Sequence, residues 1–86
     1  MRLIVVGLGE TGIELAKELV LANHEVTVID TVKNKVEEFT NEYDALGVVG
    51  SGASKAVLTQ AKANMADIII SVTSNDEVNL MSAITA

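Results

Sequence analysis

The stretch LIVVGLGETG, from Leu3 to Gly12, limits what this chain can become more than any other. An apolar, β-branched run leads straight into three glycines spaced G-x-G-x-x-G, at Gly7, Gly9 and Gly12. Behind them Ile13, Ala16, Leu19 and Val20 recur at helical spacing, which predicts a helix over 11–22 with one apolar face. A strand that passes through such a turn into a helix opens a βαβ unit. Gly7 permits the sharp turn, and Gly9 lets backbone amides approach an anion with no Cβ in the way. Gly12 lets the helix pack close to the sheet. The helix N-terminus, with Glu10 before it in the loop and Thr11 at its start, points at that anion. Without a ligand, the same pattern is only a tight glycine turn.

The alternation continues along the chain. Residues 25–30 (EVTVID) predict a β-branched strand, after a left-handed helix stop at Asn23. Residues 33–43 predict a helix with Val36, Phe39 and Tyr43 on one stripe. A third strand is expected at 45–49, interrupted by Gly47. The turn GSG at 50–52 leads into a helix at 54–63 with Val57, Leu58 and Ala61 inward. Residues 67–72 (DIIISV) predict the most apolar strand. A last helix is expected from about 76, with Val78, Leu80, Met81 and Ile84 apolar. Four βα units in succession imply an α/β fold, a Rossmann-like three-layer parallel sheet with right-handed crossovers and strand order 3-2-1-4.

Composition agrees with that architecture. Hydrophobic residues make up 49% of the 86 residues, and Phe39 and Tyr43 are the aromatic ones. The core must therefore be Val, Ile, Leu and Ala, the usual filling of a parallel sheet. Twelve acidic residues against six basic give a net charge of −6, which argues against nucleic acid or an anionic membrane surface as partner. Apolar runs of about five residues fall far short of the ~20 that cross a bilayer, so no direct membrane insertion is expected. Without cysteine there is no disulfide, thiolate nucleophile or Cys-based metal site. Met1-Arg2 runs into the first strand with no signal peptide, and the expected compartment is the cytoplasm.

Asp30 ends the second strand 18 residues after Gly12. A carboxylate there accepts from both ribose hydroxyls of an adenosine and repels a 2′-phosphate. Its other reading is an exposed acid at a strand end. Glu10 brings an anion into the phosphate loop, which disfavours ligands with many phosphates; its other reading is a side chain that simply points to solvent. Gly50 and Ser51 lie on the same sheet edge, where an adenine could rest or where the chain merely enters a helix. Thr73 ends the fourth strand at the topological switch point, as a candidate ligand neighbour. Ser74 and Glu77 have the spacing of a capping box, and Asp76 suits a helix dipole. His24 falls on the opposite edge, and no catalytic set emerges.

VVGLGETG, HEVTVID, VVGSGASKAVL and ADIIISVTSNDEVNL, in this order, resemble the N-terminal domain of Trk/Ktr-type potassium-uptake regulatory proteins, the KTN or RCK (TrkA-N) domain. The resemblance covers essentially the whole chain, and ADIIISVTSNDEVNL carries it more specifically than the glycines do. It implies a cytoplasmic nucleotide-sensing module, peripheral to the inner membrane, that binds NAD(H) or ADP/ATP. Such a module assembles beneath a membrane potassium channel or transporter subunit, gates it and performs no turnover. By this resemblance Gly7, Gly9 and Gly12 hold phosphates, Asp30 the ribose with Thr31 beside it, and Gly50 and Ser51 lie near the adenine. Thr73, Asp76 and Glu77 lie near the distal part of the ligand. Glu10 stands where the family often has a basic residue, and Ser51 where it often has Asp or Asn.

A full dinucleotide-binding fold has six strands, so residues 1–86 read as the N-terminal portion of one. The alternative function is the cofactor half of an NAD-dependent dehydrogenase. With later strands absent, strand 68–72 is expected as an apolar open edge. That predicts a homodimer or higher oligomer through this strand or through helix 76–86.

Overall fold

A computed structural model of the chain describes residues 1–72 and 77–82, with Leu80–Ser82 by backbone alone. Three βα units follow one another as the sequence predicts. They are β1 (Arg2–Val6), α1 (Glu10–Leu21), β2 (Glu25–Asp30), α2 (Lys33–Glu42), β3 (Leu46–Val49), α3 (Lys55–Gln60) and β4 (Ile68–Val72). A short 3-10 turn, Ala63–Met65, links α3 to β4. The sheet order is β3-β2-β1-β4, parallel throughout, with β5 (Val78–Ser82) added antiparallel to β4.

Alternation of side chains along β1 and β2 sends Val5, Val26 and Val28 to one face, under α1 and α2, where Leu8, Ala16, Val36 and Phe39 join them. Ile4, Ile29, Val48 and Ile69 take the other face, against Val57, Leu58 and Ala61. Helices thus cover both faces, and the strands between them are almost uniformly apolar, as a parallel sheet requires.

Helix boundaries follow local chemistry. Asn23 takes the left-handed conformation (φ 67°) that ends α1. Ser54 caps α3 by accepting from the Val57 N–H at 3.3 Å. Lys62, also left-handed (φ 58°), follows the shorter-than-expected α3 and opens the 3-10 turn. Ile13 is 37% exposed rather than inward. Gly12 and Ala16 are the buried contact row of α1, because the helix lies too near the sheet for larger side chains there.

The main departure is at 78–82, where a strand replaces the expected helix, so the fourth βα unit is not formed there. An isolated short helix is marginal in water, whereas an extended segment satisfies the main-chain groups along the outer side of β4. Val72 pairs with Val78 and Ile68 with Ser82 in that ladder. The strand 68–72 is therefore no open edge, and the expected oligomer contact through it is made within the chain. Residues 78–82 of the expected helix 76–86 are extended. Thr73, Ser74 and Asp76, and Ile84 of the expected helix, lie outside the described residues.

Candidate functional site

The glycine loop leaves β1 at the carboxyl edge of the sheet. Gly7 has φ +100°, and a Cβ there would strike the Val72 carbonyl oxygen; its N–H donates to the Ile29 carbonyl at 2.8 Å. Leu8 turns inward and is fully buried, anchoring the loop with about 1.5–3 kcal/mol of apolar burial. A Cβ on Gly12 would overlap the Gly7 carbonyl. Gly9 differs from both. It caps α1 with ordinary extended backbone (φ −73°, ψ −172°) and supplies no side-chain cap, and a Cβ on it would meet nothing within 4 Å. Packing thus explains Gly7 and Gly12 and leaves Gly9 unexplained.

Asp30 links three segments at this edge. Its Oδ2 accepts from the Leu8 N–H at 2.8 Å and its Oδ1 from the Val32 N–H at 2.8 Å. Its carbonyl accepts from the Gly50 N–H at 2.9 Å. The β1–α1 loop, the start of α2 and the β3–α3 loop are therefore tied to one residue. Asp30→Asn is expected to destabilise the chain by about 1–2 kcal/mol, because an amide has one acceptor oxygen and turns its NH2 toward the other donor. Urea unfolding would measure this, and amide exchange at Leu8 and Val32 would locate it. An unchanged midpoint with unchanged exchange would mean that the link carries no stability.

The remaining sequence-derived site residues are distributed unevenly. Thr31 is exposed next to Asp30, and Ser51 is exposed with its Oγ accepting from the Ala53 N–H at 3.2 Å. Gly52 packs directly over Val6, which brings the β3–α3 loop against the end of β1. Glu10 is exposed and Thr11 half-buried, and with Glu14, Leu15 and Glu18 they border a shallow groove along α1. Glu77 is exposed at the entry to β5. Thr73 and Asp76 lie outside the described residues.

Two residues at this edge escaped the sequence reading. Val32 and Val49 are each 45% exposed, and Val49 stands in register with Asp30. They put exposed apolar surface at the edge that carries the Asp30 carboxylate. Their sequence signal was slight: a valine two places after the acid, and another just before Gly50.

A cavity of about 590 Å³ lies elsewhere, at the opposite edge of the sheet. Arg2, Thr27, Leu46, Lys62 and Met65 are among the residues that line it. It carries the Arg2–Glu25 ion pair (2.9 Å) and, on one wall, His24, whose Nδ1 lies 3.2 Å from the terminal amine. Among the described residues no cluster of His, Asp or Glu is arranged to hold a metal ion. No described helix is long and apolar enough to cross a membrane.

A mostly parallel sheet, a glycine turn into α1 and an acid ending β2 define a Rossmann-like α/β protein. The TrkA-N domain family model matches residues 3–86, and the chain belongs to that family. It is 38% identical over 86 residues to a Trk system potassium uptake protein TrkA homolog of Archaeoglobus fulgidus, covering all of this chain and 19% of that protein. It is 37% identical over 82 residues to the Trk system potassium uptake protein TrkA of Halomonas elongata, covering 95% and 18% respectively. The chain thus spans about a fifth of the length of these relatives. Among solved structures it resembles the TrkA-N domain of the inner membrane protein ybaL from Escherichia coli, with TM-score 0.76 and 24% identity over 81% of this chain and 51% of that one. It also resembles the Shewanella denitrificans Kef CTD in AMP-bound form, with TM-score 0.68 and 19% identity over 80% and 40%.

Proposed function

We propose that residues 1–86 form the nucleotide-sensing part of a potassium-transport regulatory domain. The domain would bind NAD(H) or ADP/ATP and bias a membrane channel or transporter subunit from the cytoplasmic side without turning the nucleotide over. The observation that carries this reading is Gly9, whose missing Cβ leaves an open cradle at the uncapped N-terminus of α1, beside Asp30. The fold does not need glycine there, whereas a phosphate approaching the amides of the first turn does.

In this reading Gly7, Gly9, Gly12 and the amides of Glu10 and Thr11 hold the phosphates, and Asp30 with Thr31 reads the ribose. Gly50 and Ser51 flank the adenine, with Val32 and Val49 giving it apolar contact. Thr73, Asp76 and Glu77 would contact the distal part of the ligand. Membership of the TrkA-N family supports the potassium-transport context, and relatives named for potassium uptake favour regulation over dehydrogenase chemistry. A fold neighbour described as AMP-bound supports an adenine nucleotide.

Calorimetric titration with NADH, NAD, ATP, ADP, AMP and NADPH tests the ligand class. Heat is expected with at least one adenine nucleotide. NADPH is expected to bind about tenfold or more weakly than NADH, because the 2′-phosphate meets Asp30. No heat with any of them would overturn nucleotide binding by this chain. Preference for NADPH would overturn the role given to Asp30.

A further inference from the structure

The phosphate loop is held from the neighbouring strand. The Gly7–Leu8 peptide stands directly before the Gly9 cradle, and its N–H donates to Asp30 Oδ2 at 2.8 Å, across 22 residues of sequence. That bond is half-buried, so water competes with it less than at an exposed site. The other oxygen, Oδ1, accepts from the Val32 N–H at 2.8 Å. Holding both oxygens fixes the rotation of the carboxylate. An ionised carboxylate has about four acceptor sites, so about two stay open for ligand hydroxyls.

We infer that Asp30 is a positioning residue for the phosphates as well as a contact for the ribose. It acts through the Leu8 N–H, which sets where the loop presents Gly9 and the first amides of α1. The inference rests on the nucleotide-binding reading and deepens it: the ribose contact and the phosphate grip share one carboxylate. Direct Coulomb attraction cannot give this role, because a carboxylate repels a phosphate. A charge-assisted hydrogen bond to a backbone N–H works in the other direction, by fixing donor geometry before the ligand arrives. The two effects have opposite signs for a ligand that carries phosphate and no ribose.

The main chain supplies an internal control. The Asp30 carbonyl, not its side chain, accepts from the Gly50 N–H at 2.9 Å. Replacing the carboxylate therefore frees the Leu8 and Val32 amides and leaves the tie to the β3–α3 loop in place. Leu8 stays anchored by its fully buried side chain, and the Gly7 N–H keeps its bond to the Ile29 carbonyl. The loop in Asp30→Asn is thus expected to stay over the sheet with its amides less fixed.

Inorganic pyrophosphate, which has neither ribose nor base, is the probe. Titration in about 0.3 M salt screens the repulsion from the carboxylate and leaves the hydrogen bond. Asp30→Asn is expected to weaken pyrophosphate binding about fivefold or more, with amide exchange unchanged at Gly50 and faster at Leu8. A residue that acts only on the ribose leaves pyrophosphate affinity unchanged or raises it, and either result overturns the inference. Coupling is reciprocal, so in the parent chain pyrophosphate should slow exchange about fivefold more at Leu8 than at Val28, which is fully buried. Equal slowing at both sites also overturns the inference, and this measurement stands even if Asp30→Asn fails to fold. A parent that binds NADH but not pyrophosphate overturns the positioning role and leaves the nucleotide reading intact. A parent that binds neither overturns nucleotide binding itself.

Discussion

Replacing Gly12 by alanine is expected to destabilise the chain by about 3 kcal/mol or more, against a total of about 4–13 kcal/mol for a domain of this size. In an ordinary helix the same change stabilises by about 1 kcal/mol. The sign reverses here because the added methyl would fall on the Gly7 carbonyl oxygen, with the carbonyl carbon 2.9 Å away. Both atoms are backbone, and the Gly7–Leu8 peptide they belong to is held by the Leu8 N–H donating to Asp30 Oδ2. α1 must therefore lift from the sheet, which loosens Ala16 and Leu8, both fully buried. Urea denaturation of parent and variant measures the difference. A Gly12→Ala chain as stable as the parent would remove close helix–sheet packing as the reason for this glycine.

Gly9→Val is expected to do the opposite: leave stability within about 0.5 kcal/mol of the parent and lower nucleotide affinity by about tenfold to a hundredfold. The Cβ position is open, and the backbone at Gly9 is extended, which valine adopts without strain. What changes is access. Two γ-methyls stand over the first amides of α1 and hold a phosphate away from the donors and the helix dipole. Titration with NADH and ADP reads the affinity, and the melting temperature reads the fold. A variant that binds as the parent does would remove Gly9 from the ligand site. A variant that unfolds would make Gly9 a structural residue like Gly7 and Gly12. Run together, the two substitutions separate what the glycine loop does for the fold from what it does for the ligand.

Much of this was legible locally. The runs RLIVV and EVTVID became β1 and β2 with the expected bounds, because a β-branched apolar segment bounded by turns has few alternatives in a parallel sheet. Asn23 stopped α1 in the left-handed conformation as expected. α3 came out shorter, because Ser54 caps its start and Lys62 turns left-handed soon after Gln60. Asp30 was found as the acid ending β2, but its hold on Leu8 and Val32 was not. That role joins residues 22 apart in sequence, and only the folded sheet brings them within 2.8 Å.

The sequence by itself determined the alternation of strands and helices, the apolar faces that bury them, and the glycine turn that sends α1 back over the sheet. These depend on side-chain periodicity and backbone sterics acting within a few residues. Tertiary structure decided the fate of residues 78–82, where the outer main-chain groups of β4 outweighed a short helical pattern. It also divided three identical glycines into two demanded by packing and one left open. That distinction depends on what stands opposite each missing Cβ: Val72 at Gly7, the Gly7 carbonyl at Gly12, and open space at Gly9.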